Sequence, residues 1–190
     1  LINEYLTTMS QVIREQGGTL DKYIGDAIMA FWGAPVPDPG HATNAVVAAL
    51  RMQSGLNLLR QSFEARGWPS IAIGIGLSSC EMTVGDMGSK VRKAYTVMGD
   101  TVNLGSRLEG ITRQYGVGIL VSEETVMLSE GVLYREIDAV RVKGKDNPIK
   151  IYEPLVLEAE ATQQTRLDLE KWHSVLRLYR AQQWVEALAL

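Results

Sequence analysis

The pair Gly25-Asp26 places a carboxylate between two short apolar segments. Residues 19–24 and 27–33 are rich in Ile, Tyr, Phe and Trp and predict two strands, so Asp26 is expected at the exposed tip of a hairpin. Gly-Asp pairs are common in turns, and an ordinary turn residue is one interpretation. The other is a ligand for a hard divalent cation, which takes oxygen donors from a rigid element. One carboxylate does not complete a metal site, and the neighbouring sequence offers no convincing second one.

A second polar group lies in residues 95–107, where an acid, an amide and a guanidinium follow one another. Asp100 is placed to cap a helix that begins at the next residue. Asn103 and Arg107 are four residues apart, so their side chains project from one face of that helix. Such a face suits a phosphate or ribose, because arginine offers paired planar donors to anionic oxygens. A solvated arginine paired with a neighbouring acid is the alternative, and the spacing does not choose between them.

Two lysines flank a glycine at Lys143-Gly144-Lys145, directly after an apolar segment. An exposed hairpin tip explains this pattern without any further role. The functional alternative is a mobile cation that folds over a polyphosphate, since lysine carries a compact charge on a flexible stem.

Composition narrows the classes of protein that could carry these groups. The chain has 190 residues, 46% of them apolar and 22% charged, with a net charge of −3 and one cysteine. This length fits one globular domain with an extra element, and it needs no disulfide on grounds of size. No apolar run is long enough to span a bilayer, and the mild acidity disfavours a general nucleic-acid or anionic-membrane binder. We expect a soluble, intracellular, mixed domain.

The hydrophobic pattern predicts alternating helices and strands, with helices packed on a sheet in an α+β fold. Residues 86–94 are polar and basic, and they predict a flexible loop. The segment 81–85 is expected to pair with the strand before it. The predicted helices are 2–16, 41–66, 101–115, a short one after Ser122, 165–181 and 183–190; the predicted strands are 19–24, 27–33, 71–77, 81–85, 118–121, 132–142 and 149–154.

The chain divides near residue 158, where it becomes polar and loses its β-branched residues. We therefore predict a domain over 1–157 and a C-terminal helical extension over 158–190. Both ends of the chain have helical spacing without caps, so we expect them to be cuts through a longer protein.

Five stretches of the chain form a specific pattern when they are taken in order, although each alone is weak. They are LINEYL, GGTLDKYIGDAIMAFWGAP, VGDMGS, YTVMGDTVNLGSRLEG, and VRVKGK followed by IKIYE. Together they resemble the catalytic domain of class III nucleotidyl cyclases, specifically bacterial adenylyl cyclases. The resemblance implies a ferredoxin-like mixed sheet flanked by helices.

The resemblance assigns residues to the base of a nucleotide. Lys22 matches the lysine that recognises the adenine ring, and Thr96 matches its partner in base selection, a threonine in a bacterial subset of the family. Val97 is grouped with them as a substrate-binding residue. A lysine ammonium only donates, and adenine accepts at N1 where guanine presents a donor. Guanylyl cyclases of the family usually carry Glu in place of Lys22, so the implied substrate is ATP.

The resemblance also assigns the reacting end of the nucleotide. Asp26 looks like the second of two metal-binding aspartates, and Asn103 resembles the residue that orients the ribose. Arg107 resembles the residue that stabilises charge on the reacting phosphate, and Lys143 the lysine that reaches the terminal phosphates. The implied reaction is cyclisation of ATP to 3′,5′-cyclic AMP and pyrophosphate, with two Mg²⁺ or Mn²⁺ ions as cofactors.

A head-to-tail homodimer with shared sites follows from the resemblance and from spacing. Lys22 and Asp26 are four residues apart on one predicted hairpin, yet they would serve opposite ends of one nucleotide. We expect Asp26 to come from one protomer and the other site residues from its partner.

One departure from the family pattern concerns the metal. The first metal aspartate of the family lies upstream of the LINEYL-like helix, in a stretch absent here, so we expect little or no activity from this chain alone. A catalytically silent regulatory or dimerisation domain is the main alternative, and a guanylyl cyclase is the other. Family members are commonly fused to sensor or membrane modules. We therefore expect a cytoplasmic catalytic domain whose parent is fused upstream to such a module, with the inner membrane as a candidate anchor.

Overall fold

The computed structural model describes residues 1–141 and 148–190, and it shows a mixed α+β fold. Lys143 and its flanking turn lie outside the described residues. The elements in chain order are α1 (Ile2–Glu15), β1 (Thr19–Ile24), β2 (Ala27–Phe31), α2 (His41–Ala65), β3 (Ile75–Leu77), β4 (Thr83–Gly88), β5 (Lys93–Met98), α3 (Asp100–Tyr115), β6 (Ile119–Ser122), α4 (Glu123–Leu128), β7 (Val132–Val140), β8 (Ile149–Leu157), α5 (Gln163–Arg180) and α6 (Trp184–Leu188).

The central sheet has four strands in the order β3-β6-β8-β7. Strands β3 and β6 are parallel, and the other two pairs are antiparallel, so the sheet is mixed as expected. Two further hairpins, β1-β2 and β4-β5, form separate two-stranded antiparallel sheets. The hairpins carry most of the residues to which the sequence assigned base and metal binding.

Helices cover both faces of the central sheet, and strand β6 shows why. All four of its residues are buried. Ile119 and Val121 pack with α2, whereas Leu120 packs with Leu104 and Leu108 of α3. Successive side chains of a strand point to opposite faces, so this apolar run requires a helix on each side.

Two glycines of the β3 segment allow α3 to lie against it at backbone distance. A Cβ atom at Gly76 would lie 2.0 Å from the carbonyl oxygen of Gly105, and a Cβ at Gly74 would lie 2.2 Å from Thr112 Oγ1. Any larger residue at Gly76 would push α3 away from the sheet, because the obstacle is backbone. The position of α3 therefore depends on Gly76, which lies 24 residues before the first residue of the helix.

Three predictions about the middle of the chain were wrong. Strand β3 covers only residues 75–77 of the predicted 71–77. Strand β4 pairs with β5 and not with β3. The predicted loop over 86–94 is a hairpin, in which Ser89 Oγ accepts from two backbone N–H groups of the tight turn. Both faces of the hairpin carry polar residues, so it lacks the apolar alternation by which a strand is identified.

The remaining elements agree with the sequence to within a few residues. The first hairpin, α1 and α2 are where the pattern placed them, and Ser122 caps α4 by accepting from the backbone of Thr125. In the described part of the chain, no helix is both long enough and apolar enough to cross a bilayer.

The C-terminal segment forms the two predicted helices, and α5 packs on β7. The indole of Trp172 donates to the carbonyl oxygen of Glu136 at 2.7 Å, and the Arg135 guanidinium lies 4.8 Å from its ring centre. Arg180 forms an ion pair with Glu136 at 2.7 Å. The extension thus rests on the edge strand of the sheet, and a domain boundary near residue 158 stays a prediction.

Candidate active site

The hairpin β1-β2 holds two of the predicted site residues at different points. Gly25 has φ of +65°, a conformation that suits glycine in a tight turn, and it brings Asp26 to the exposed tip. Lys22 lies nearer the base of the hairpin and is also exposed. The turn therefore presents a carboxylate to solvent, as the sequence predicted, and separates it from the lysine.

A β-bulge in β1 redirects the residue before Lys22. Leu20 pairs with Ala30 and Lys22 pairs with Met29, so Asp21 is the extra residue without a partner in β2. A bulge commonly turns a side chain away from the regular alternation. Here the Asp21 side chain is only 1% exposed, although its strand lies at the protein surface.

The second hairpin brings Thr96 onto this bulge, across 75 residues of chain from Asp21. Thr96 Oγ1 donates to Asp21 Oδ2 at 2.6 Å. Lys22 Nζ lies 3.4 Å from Thr96 Oγ1 and 3.5 Å from Asp21 Oδ1. The structure thus brings together Lys22 and Thr96, which the sequence grouped only through a resemblance. It adds Asp21, to which the sequence analysis gave no role.

Asp21 was missed because nothing in its local pattern marks it. It directly precedes Lys22 in a short predicted strand, and an acid beside a lysine is an ordinary surface pair. Only the bulge and the contact with β5 bury it.

An open depression of about 390 Å³ connects the end of β5 to the start of α3. Val97 and Asn103 both line it, so the structure places these two predicted site residues on one surface. Val97 itself is buried, and Asn103 and Arg107 are exposed. Leu104 and Leu108 lie on an adjacent, buried face of α3 and anchor it to the sheet.

Helix α3 begins one residue earlier than predicted. Gly99 is its N-cap and Asp100 is its first residue, and the helix has no side-chain capping hydrogen bond. The prediction that Asp100 caps the helix was therefore wrong. Its carboxylate still lies in the first turn, where negative charge is favourable beside the positive end of the helix dipole.

Residues that could hold a metal are few. Among the residues that the structure describes, no group of three His, Cys, Asp or Glu side chains could hold an ion. Asp26 is an exposed carboxylate on a rigid turn, which suits one ligand of a hard cation. Burial raises the pKa of Tyr5, and the negative charges of Asp26 and then Glu109 raise it further. Asp26 and Glu109 therefore both raise the pKa of Tyr5, but among the described residues they do not form a metal-binding group with a third ligand.

Comparison with known proteins identifies the family. A family model described as the adenylate and guanylate cyclase catalytic domain matches residues 1–153. The chain belongs to this family, as the ordered motifs indicated. It is 42% identical over 160 residues to an adenylate cyclase of Anabaena cylindrica, covering 80% of this chain and 31% of that protein.

Two solved structures share the fold. The crystal structure of the adenylyl cyclase CyaB from P. aeruginosa has 34% identity and a TM-score of 0.77, covering 85% of this chain and 83% of that one. The crystal structure of the guanylyl cyclase Cya2 has 32% identity and a TM-score of 0.73, covering 82% of this chain and 79% of that one. The fold alone therefore does not separate the two base specificities. The chain also spans less than a third of the length of the Anabaena relative.

Proposed function

We propose that this chain is the catalytic part of an adenylyl cyclase, which converts ATP to 3′,5′-cyclic AMP and pyrophosphate in sites shared by two copies of the chain. The observation that carries the proposal is the contact between Lys22 and Thr96 at 3.4 Å, since it joins two potential base-reading groups from separate hairpins.

The cation at this contact favours adenine. An ammonium group donates and never accepts, so it suits N1 of adenine and not the N1–H of guanine. The Lys22 side chain is 45% exposed, which leaves it open to an incoming base. A mismatched donor at such a contact costs about 1–3 kcal/mol. The similarity to an adenylate cyclase of Anabaena supports the same choice.

The chemistry is an in-line displacement at the α-phosphorus. The ribose 3′-hydroxyl loses its proton to solvent and its oxygen bonds to this phosphorus, while the bond from phosphorus to the oxygen that bridges to the β-phosphate breaks and pyrophosphate leaves with that oxygen. Asn103 orients the ribose from the exposed face of α3. Arg107, one turn further along, donates to the phosphoryl oxygens, where negative charge grows in the transition state. Lys143 would bind the terminal phosphates.

The described residues fit the expected metal only in part. A bound Mg²⁺ or Mn²⁺ ion would supply Lewis-acid activation of the 3′-oxygen and the phosphates. Asp26 is the carboxylate that we assign to it, and one carboxylate is not a complete site. We therefore assign Asp26 as a ligand and no more.

Exposed apolar side chains around the two hairpins support a dimer. Tyr23 and Ile24 follow Lys22, and Tyr95 and Met98 lie within two residues of Thr96; all four are exposed. Exposed apolar side chains gathered near one site are typical of a protein interface. A partner copy on this surface would bring its own Asp26 or Arg107 toward the base-reading groups.

Mixing two inactive variants tests the shared site. The full-length protein is used, because the relative that this chain matches is much longer. Asp26→Ala and Arg107→Ala homodimers should each be inactive, whereas each mixed dimer keeps one site with both residues. Random mixing makes half of the dimers mixed, so roughly a quarter of wild-type activity should return. Proven mixed dimers without recovered cyclic AMP synthesis would exclude a site shared in this way.

A catalytically silent domain is the second candidate. It is favoured by the lack of a three-ligand metal group in the described ranges 1–141 and 148–190. Assay of the full-length protein with ATP and Mg²⁺ or Mn²⁺ separates the two, since a silent domain makes no cyclic nucleotide from ATP or GTP.

A further inference from the structure

We propose that Asp21 sets the direction of the hydrogen bonds made by Thr96, and thereby makes the base site selective for a purine that carries an amino group at position 6. Asp21 is a positioning residue in this account, because it acts through Thr96 and Lys22. The inference rests on the proposed function, in which these two residues read the base.

Asp21 is held in place by three features. Its side chain is 1% exposed, and the bulge in β1 turns it toward β5. Its Oδ2 accepts the hydroxyl proton of Thr96 at 2.6 Å. Its Oδ1 is buried without a hydrogen-bond partner among the described residues, and Lys22 Nζ lies 3.5 Å from it. A buried acid in this position is costly unless its neighbours are donors.

The bond to Asp21 decides what Thr96 can offer to a base. A hydroxyl has one proton and two lone pairs, and a carboxylate can only accept. The Thr96 proton is therefore committed to Asp21, and toward the base the hydroxyl can only accept. Adenine presents a donating amino group at position 6, whereas guanine presents an accepting carbonyl oxygen. The same arrangement that receives adenine places two acceptors face to face when guanine enters.

Lys22 completes the pattern as the cation of the cluster. Its Nζ donates to Thr96 Oγ1 at 3.4 Å and forms an ion pair with Asp21 Oδ1 at 3.5 Å. An ammonium proton remains for N1 of the base, which accepts in adenine and donates in guanine. Asp21 thus holds both readers: Thr96 meets the carbonyl oxygen of guanine with an acceptor, and Lys22 meets its N1–H with a donor.

The variant Asp21→Asn reverses this direction with almost no change in shape. The Lys22 ammonium lies beside one of the two side-chain oxygen positions, so its positive charge holds the amide oxygen there and the amide nitrogen faces Thr96. Thr96 then accepts from Asn, and its freed proton can donate to the carbonyl oxygen of guanine. We expect the ratio of kcat/KM for ATP to that for GTP to fall by about ten- to a hundredfold, the size of one mispaired hydrogen bond.

A double-variant cycle separates this role from simple support of the hairpins. In a Thr96→Val background no hydroxyl remains to be oriented, so adding Asp21→Asn should change the ATP-to-GTP ratio by less than about twofold. Asp168→Asn is the matched control, because Asp168 is exposed on α5 and its amidation should leave the ratio unchanged. If Asp21→Asn does not fold, Asp21→Ser serves, since its hydroxyl no longer forces Thr96 to donate.

The outcomes distinguish the two proposals. A wild-type protein that makes no cyclic AMP overturns the proposed function and this inference with it. A wild type that prefers ATP, together with a folded Asp21→Asn or Asp21→Ser variant of unchanged ratio, overturns only the inference. An equal fall of the ratio in the Thr96→Val background also overturns it, because the effect would then not pass through the hydroxyl.

Discussion

The cluster of Lys22, Thr96 and Asp21, proposed to read the base, differs from the exposed face of α3 in how deeply its polar groups are set. Lys22 and Thr96 are linked to each other and to a buried acid within 3.5 Å. Asn103 and Arg107 are exposed on a helix that Leu104 and Leu108 anchor to the sheet. The groups proposed to choose a base are thus arranged around a buried carboxylate, whereas those proposed to meet the ribose and phosphate lie on an exposed helix face.

The largest effect on activity is expected from Arg107→Ala, which tests the role proposed for the exposed face of α3. Loss of a donor that acts mainly in the transition state should lower kcat by about a hundred- to a thousandfold with little change in KM. Steady-state kinetics with ATP measures both constants. Arg113→Ala is the matched control, since Arg113 is exposed in the last turn of the same helix. A rise in KM alone would contradict the assigned role.

Lys22→Glu tests the base-reading half and should have a smaller effect on rate. The new acceptor faces N1 of adenine, so kcat/KM for ATP should fall about ten- to a hundredfold, while kcat/KM for GTP rises. Competition between the two nucleotides gives the ratio directly. Equal losses for ATP and GTP would remove Lys22 from base recognition.

Gly76→Ala tests whether the position of α3 depends on its close packing against β3. The added Cβ would lie 2.0 Å from a carbonyl oxygen of α3, so the helix must shift. Overpacking of this kind costs about 1–3 kcal/mol of unfolding free energy, and it should lower kcat without altering the preference for ATP over GTP. Denaturant unfolding and the nucleotide ratio measure the two effects. Gly110→Ala is the control, because a Cβ there meets nothing within 4 Å; a changed base preference in Gly76→Ala would show that the two regions are coupled.

The smallest effect concerns the far end of α3. Tyr115 donates to Asp138 Oδ2 at 2.7 Å, and burial followed by this hydrogen bond raises the pKa of Tyr115 to about 12. Because the pKa of Tyr115 in the folded protein is above the ordinary tyrosine value of 10, the stabilisation is complete below pH 10 and is lost as the pH rises toward 12. Unfolding free energy measured from pH 9 to 12 should fall less steeply in Tyr115→Phe. An equally steep fall of the unfolding free energy with pH in Tyr115→Phe would contradict this linkage. Tyr152, whose pKa is also raised, is present in both proteins and contributes equally to both curves.

The secondary structure was predictable where one face of an element is buried. Helix α2 and the first hairpin follow directly from apolar spacing, and Ser122 caps α4 through a local hydrogen bond. The β4-β5 hairpin was not predictable, because most of its residues are exposed and its strands carry no apolar alternation. Its register nevertheless pairs Thr96 with Gly85, and Thr96 reaches Asp21 of β1 from there.

By itself, the amino-acid sequence determined the α+β class, the hairpin that exposes Asp26, the helix face shared by Asn103 and Arg107, and, through ordered motifs, the family. These properties depend on residues close together in the chain, where spacing translates directly into geometry. Only the tertiary structure decided that Asp21 is buried and that Thr96 donates to it. The bulge and the contact between separate hairpins create that environment, and a residue's burial depends on which distant segment covers it.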